Sequence, residues 1–84
     1  MSELVEQPMS EFILYSKPNC GLCDKAKALL KTAKLEYTEI NILENPQGMA
    51  LYAFEIPVLV GSSGQELIKG EFTESKVAAI LMRS

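Results

Sequence analysis

Two cysteines, Cys20 and Cys23, lie where a short apolar run gives way to a helical pattern. The run covers residues 12–15, and its length and its aromatic and β-branched content predict a buried strand. From Gly21 onward, apolar residues recur on one face of a predicted helix: Leu22, Ala26, Leu29, Leu30 and Ala33. The chain has no other cysteine, so any thiol chemistry takes place at this strand-to-helix junction.

The remaining chain alternates between strand and helix patterns. A strand is predicted within residues 35–42, followed by a helix over 46–53 that Asn45 caps. Strands at 56–60 and 66–68 are joined by a turn. A last helix is capped by Thr73 and buries Val77, Ile80 and Leu81. The order β-α-β-α-β-β-α, with a parallel first pair and an antiparallel last pair, predicts an α/β fold in which helices cover both faces of a four-stranded mixed sheet. We expect a flexible leader over residues 1–10 and a single domain over residues 11–84.

Composition and charge exclude several classes of function. With 84 residues and a net charge of −3, the chain is one small domain with no electrostatic preference for nucleic acid or anionic membranes. No apolar run approaches the ~18 residues of a membrane span. Residues 1–10 hold acidic residues, no basic ones and no long apolar stretch, unlike a secretory signal. We therefore expect a cytoplasmic monomer with neither a nucleic-acid nor a membrane partner.

The residue types that are missing narrow the chemistry further. The chain has no histidine, which excludes Ser–His and Cys–His catalysis and histidine metal sites. Two cysteines cannot complete a four-ligand zinc site within one chain, so we predict no metal ligand. A cysteine pair of this spacing is typical of redox chemistry, although two packed cysteines or half of a metal site shared with another chain stay open.

The position of the pair predicts different roles for the two thiols. Cys20 opens a helix, where free N–H groups and the positive end of the dipole favour a thiolate, which is the attacking species in disulfide exchange. Cys23 lies one turn further on, from where its sulfur can resolve a mixed disulfide on Cys20. Lys17, Lys25 and Lys27 flank the pair and could add positive potential, although a solvated helix face also explains them.

Ile56–Pro57 is the second notable feature, because proline cannot donate a hydrogen bond within a strand. We predict a cis bond beside the sulfurs that leaves the backbone of Ile56 available to an extended thiol substrate. The alternative is a trans proline at the start of a strand.

Taken together, these segments resemble a known family. The stretch from Ser16 to Cys23, the segment Ile56-Pro57-Val58 and Gly70 resemble the active-site stretch, the Val-Pro segment and the Gly-Gly of glutaredoxins, within the thioredoxin fold. The resemblance covers about residues 11–82. It implies a thiol-disulfide oxidoreductase that uses a Cys20–Cys23 redox disulfide, with Lys17, Ile56 and Pro57 as substrate-binding residues and glutathione as a possible electron donor. Its substrate would be a disulfide-containing protein or a small thiol.

Some positions depart from the glutaredoxin pattern. Gly21-Leu22 replaces the usual Pro-Tyr between the cysteines, while Glu55 and Glu71 stand where the family holds glutathione. We therefore expect glutathione to be a poor partner. Two other functions stay open: a carrier in which two chains share an iron–sulfur cluster or metal through Cys20, and a non-catalytic module that binds a partner peptide.

Overall fold

The computed structural model describes residues 12–83, so the predicted leader over residues 1–10 lies outside the described residues. Four strands and three α-helices follow the predicted order: β1 Ile13–Ser16, α1 Gly21–Thr32, β2 Thr38–Asn41, α2 Pro46–Tyr52, β3 Val58–Val60, β4 Glu66–Lys69 and α3 Glu74–Arg83. A single 3₁₀ turn, Ile42–Glu44, joins β2 to α2. The element order predicted from the sequence is confirmed.

The four strands form one mixed sheet in the order β2-β1-β3-β4. β1 pairs in parallel with β2, and Leu14 lies opposite Glu39. β1 also pairs antiparallel with β3, where Tyr15 lies opposite Val58, and β3 pairs antiparallel with β4. The carboxyl end of β1 and the amino end of β3 therefore meet at one end of the sheet.

Helices cover both faces of the sheet, as the alternation along β1 requires. Leu14 packs with buried residues of α1 and α3 in the main core, which comprises Leu14, Ala26, Leu30, Leu59, Ile68, Phe72, Val77 and Ile80. Ile13 and Tyr15 face the opposite side, where they pack against a smaller cluster formed by Tyr52 of α2, Val58 and Val60. Ser16 shares the face of Leu14, so its side chain lies on the α1 side of the sheet.

Two predicted helix caps are present, and two predicted core residues are not buried. The side chains of Asn45 and Thr73 accept hydrogen bonds from the backbone of Gly48 at 2.6 Å and Lys76 at 3.2 Å. The prediction that Leu22 and Leu81 are buried is wrong, since they are 45% and 40% exposed.

The buried face of each helix explains these two exceptions. In α1 the buried positions are Cys23, Ala26 and Leu30. Leu22 lies about 40° from Ala26 and about 100° from Cys23 around the helix, which places it at the edge of the buried face in the first turn. Leu81 lines a groove between α1 and α3, which covers part of its surface. Within residues 12–83, no helix combines the length and the apolar character needed to cross a bilayer.

Candidate active site

The turn between β1 and α1 places Cys20 at the start of a helix. Asn19 adopts a positive φ of 58°, which turns the chain from the strand into the helix. Cys20 is the N-cap residue, with an extended backbone, and its carbonyl accepts the first helical hydrogen bond from the Asp24 amide at 3.0 Å. Its sulfur accepts a hydrogen bond from the Cys23 amide at 3.2 Å. The helix terminus therefore provides a donor for negative charge on the Cys20 sulfur.

Cys23 lies in a different environment, although it is only one turn away. Both thiols are free, and Cys20 is partly exposed whereas Cys23 is 0% exposed. Burial, followed by the hydrogen bond with Cys20, raises the pKa of the Cys23 thiol from 9.0 to about 11. The Lys17 backbone and the Lys27 charge oppose part of that rise. The pair thus consists of an accessible sulfur and a protonated, buried one.

The Ile56–Pro57 bond is cis, as predicted. Because Tyr15 lies opposite Val58, the chain enters β3 beside the point where β1 leads into the cysteine turn. The Gly70 amide donates to the carbonyls of Glu55 at 3.1 Å and Pro57 at 2.9 Å. These hydrogen bonds hold the loop that follows β4 against the segment that leads into β3. Pro57 is buried and Ile56 is half-buried. The structure therefore brings the predicted Ile56–Pro57 segment to the same end of the sheet as the cysteines.

The lysines around the cysteines differ from the expectation of added positive potential. Lys25 forms an ion pair with Glu71 at 2.9 Å, and Lys27 forms one with Glu39 at 3.1 Å. A carboxylate therefore offsets part of each charge, although the charge of Lys27 still favours the thiolate form of Cys23. Lys17, the third predicted lysine, is exposed, and its backbone approaches the Cys23 sulfur.

Two polar residues near the site were not identified from the sequence. The hydroxyl of Ser16, which is 1% exposed, donates to Glu39 Oε2 at 2.6 Å, and Lys27 Nζ contacts the same oxygen. The alternation of Leu14 and Ser16 along β1 signals that Ser16 faces inward. The register that brings Glu39 to the same face follows only from the pairing of β1 with β2.

A metal centre within the chain finds no support in the described region. Among residues 12–83, no three cysteine, aspartate or glutamate side chains converge as ligands would. A metal held here would need donors from outside these described residues.

Solved structures of similar fold come from several organisms. The chain is 26% identical to the target protein XcR50 from X. campestris, with a TM-score of 0.76. The match covers 87% of this chain and 97% of that one. Ne2328 from Nitrosomonas europaea is also 26% identical, with a TM-score of 0.71 and coverage of 95% and 98%. The holo form of glutaredoxin C1 from populus tremula x tremuloides is 19% identical, with a TM-score of 0.57, over 89% of this chain and 77% of that one. A similarity at this identity shows a shared fold alone.

The family follows from a match along nearly the whole described chain. The sheet order, the helices on both faces and these structural neighbours show a thioredoxin-like fold. No protein of curated function matches the chain. The model of the glutaredoxin-like domain (DUF836) matches residues 11–82, and the chain therefore belongs to this glutaredoxin-like family.

Proposed function

We propose that the protein is a thiol-disulfide oxidoreductase in which Cys20 is the nucleophile and Cys23 the resolving thiol. The observation that carries this proposal is the contrast between the two sulfurs. Cys20 is accessible at a helix N-terminus, and its sulfur accepts a hydrogen bond from the Cys23 amide. Cys23 is buried, and its pKa is raised to about 11. A sulfur placed in this way attacks first, and the buried thiol acts only when a mixed disulfide is held beside it.

The reaction proceeds in two exchange steps. The Cys20 thiolate attacks one sulfur of the substrate disulfide, forms a mixed disulfide and releases the first substrate thiolate. Cys23 then loses its proton to water and attacks the Cys20 sulfur, which releases the second thiolate. The substrate gains two electrons and the protein becomes the Cys20–Cys23 disulfide, while the released thiolates take up protons from solvent.

The backbone of Ile56 and the side chain of Lys17 are the groups proposed to hold the substrate. Pro57, which is buried, shapes the groove beside the sulfurs, and half-buried Ile56 offers backbone groups to an extended segment. Leu22 and Phe54 near this end of the sheet are 45% and 101% exposed. Apolar contact surface of this kind supports a disulfide-containing protein as substrate, with a small thiol compound as the alternative.

Glutathione is proposed to be a poor electron donor. Its carboxylates would need free cations near Cys20, and Lys25 is held by Glu71 at 2.9 Å. Lys69 lies 3.5 Å from Glu55, the other acid at a position where the family holds glutathione. Of the three lysines that flank the cysteines, exposed Lys17 is left, and it offers one cationic contact to a glutathione carboxylate.

The proposed setting is a cytoplasmic monomer without a nucleic-acid or membrane partner. Cys20, Cys23 and Pro57 come from one chain, so the reaction as written needs no second copy. A reducing compartment keeps a dithiol in the reduced form that begins the cycle, and the net charge of −3 does not attract polyanions.

Sharing of an iron–sulfur cluster between two chains is the rival function. It would use Cys20 as a ligand, and the partly exposed sulfur of Cys20 is reachable from outside. Cys23 is 0% exposed and supplies no ligand to a second chain without rearrangement. Iron content and visible absorption of the protein purified without oxygen separate the two functions.

Trapping of the mixed disulfide tests the proposal. Cys20→Ser should abolish reduction of a disulfide-bonded protein substrate, such as insulin, by the protein and dithiothreitol. Cys23→Ser should accumulate an adduct on Cys20, seen by mass spectrometry of the intact protein. Adducts found on Cys23 in the Cys20→Ser variant, at the rate of the unmodified protein, would reverse the assignment.

A further inference from the structure

The buried Cys23 sulfur has a cation close by on its own helix. Lys27 follows Cys23 by four residues, so the two side chains lie on the same face of α1, with Cβ atoms about 5–6 Å apart. The positive charge of Lys27 favours the thiolate of Cys23, as does the backbone of Lys17. These are the contacts that work against the burial of this thiol.

A buried hydroxyl and a carboxylate hold this lysine in place. Lys27 Nζ lies 3.1 Å from Glu39 Oε2, and the same oxygen accepts the Ser16 hydroxyl at 2.6 Å. Ser16 is 1% exposed at the end of β1, and Glu39 lies opposite Leu14 on the α1 side of the sheet. Serine, glutamate and lysine therefore form a chain of contacts, here called the Ser16–Glu39–Lys27 network.

The network borders an open cavity that water can enter. Its volume is about 190 Å³, enough for several water molecules at about 30 Å³ each. The lining residues are Ser16, Lys17, Pro18, Lys27, Glu39 and Asn41. Lys17 and Lys27, the two residues that favour a thiolate at Cys23, both line it, so solvent reaches these two neighbours of Cys23, which does not itself line the cavity.

We propose that the Ser16–Glu39–Lys27 network is a positioning device for the resolving step, in which Lys27 stabilises the negative charge that develops on Cys23. The inference rests on the proposed function and deepens it. The Cys23 proton passes to water, the Cys23 sulfur forms a bond to the Cys20 sulfur, and the bond from Cys20 to the substrate sulfur breaks. The substrate leaves as a thiolate, reduced, and the cysteine pair is oxidised.

The charges of the network stay constant over the range in which the step can be measured. The Ser16 hydrogen bond, and then Lys27, lower the pKa of Glu39 below 4.5, and the Glu39 hydrogen bond raises the pKa of Lys27 above 10.5. Burial raises the pKa of Tyr37, which also faces Lys27 and Glu39, above 10.0. Asp24 is the other charged group that acts on Lys27. Between about pH 6 and about pH 9, a change in the rate of the second step therefore does not come from titration of Glu39, Lys27 or Tyr37.

The test separates the two exchange steps in one experiment. Reduced protein is mixed with 5,5′-dithiobis(2-nitrobenzoate), which releases one coloured thiolate when Cys20 attacks and a second when Cys23 resolves. Lys27→Met should slow the second release about threefold to tenfold, because a lower thiolate fraction is partly offset by higher nucleophilicity. The first release should stay unchanged.

Two further variants make the result specific. Lys31→Met removes the same charge one turn further along α1 and should change neither release. Lys27→Arg keeps the charge and should restore the second release to within about twofold of the unmodified protein. In Lys27→Met, the rise of the second release rate with pH should also be displaced to higher pH.

The possible outcomes distinguish this inference from the proposed function. If Lys27→Met lowers thermal stability but leaves the ratio of the two release rates unchanged, the network serves the fold alone and the inference is overturned. If Lys31→Met slows the second release as much as Lys27→Met, general charge rather than positioning is responsible, which also overturns it. Absence of a first release in the unmodified protein would instead remove the proposed function.

Discussion

At the scale of single residues, the behaviour of the site depends on a difference between two identical side chains. Cys20 caps a helix and is partly exposed, whereas Cys23 is enclosed between α1 and the sheet. Desolvation disfavours the charged form of a buried thiol, and the hydrogen bond with Cys20 adds to this effect. One amino-acid type thus takes two roles because of its surroundings.

This difference predicts the alkylation behaviour of single-cysteine variants. With its pKa at about 11 in place of 9.0, Cys23 has a thiolate fraction near neutral pH that is about 100-fold below that of an ordinary thiol. In Cys20→Ser, Cys23 should react slowly with iodoacetamide, and its rate should keep rising above pH 9.0. In Cys23→Ser, Cys20 should react faster than Cys23 does in Cys20→Ser at every pH below 9.0. Faster alkylation of Cys23 than of Cys20 at pH 7 would refute the assigned roles.

At the scale of secondary-structure elements, short polar signals define where helices begin. Thr73 accepts the Lys76 amide at 3.2 Å and starts α3, whose residues Val77 and Ile80 enter the main core. Thr73→Ala should lower the free energy of unfolding by about 1 kcal/mol, because a helix amide loses its acceptor. Urea denaturation measures this value.

A matched control exists within the same helix. Ser75 is exposed in the first turn of α3, and Ser75→Ala also removes one hydroxyl. It should change stability by less than about 0.5 kcal/mol. Equal losses in the two variants would show that the Thr73 hydrogen bond does not stabilise the helix start.

Much of the fold was predictable from local patterns, and most of what was missed depends on pairing between strands. Turn residues, caps and apolar periodicity predicted the element order and the Asn45 and Thr73 caps. The cis Ile56–Pro57 bond was predicted from the place of a proline at the start of an apolar strand. The Lys27–Glu39 contact joins residues 12 apart, and it requires the parallel register of β1 and β2, which no local pattern specifies. Exposure of Leu22 depends on which side of α1 faces the sheet, and periodicity defines that only to within one residue.

At the scale of the whole molecule, acidic and basic residues are paired around the reactive end instead of forming one positive field. Residues 17–34 hold five lysines and one acid, whereas residues 36–74 hold seven acids and one lysine. Folding brings Lys25 of the first segment against Glu71 of the second, and Lys69 against Glu55 and Glu66. Exposed pairs of this kind contribute little to stability. The pairs have a larger effect on the attraction of an anionic substrate, because they offset the charge of the lysines that would attract it.

Removing one of these carboxylates should improve the use of glutathione. Glu71→Gln frees Lys25 and should raise the rate constant for reduction of the protein by glutathione about twofold to fivefold, with a smaller gain at high salt. Glu74→Gln, a nearby exposed acid at the start of α3, provides the control for net charge. If both variants gain equally, the Lys25–Glu71 pair has no specific effect on glutathione.

The reduction potential of the Cys20–Cys23 pair tests the central claim most directly. The protein is equilibrated in buffers of defined ratio of reduced to oxidised dithiothreitol or glutathione, trapped by acid and alkylation, and its two forms are counted by mass. The account predicts a single two-electron transition at about −200 to −270 mV, the range of glutaredoxins and thioredoxin. Failure of Cys20 and Cys23 to form a disulfide at any potential would contradict the account, and a value near −120 mV would indicate an oxidant instead of a reductase.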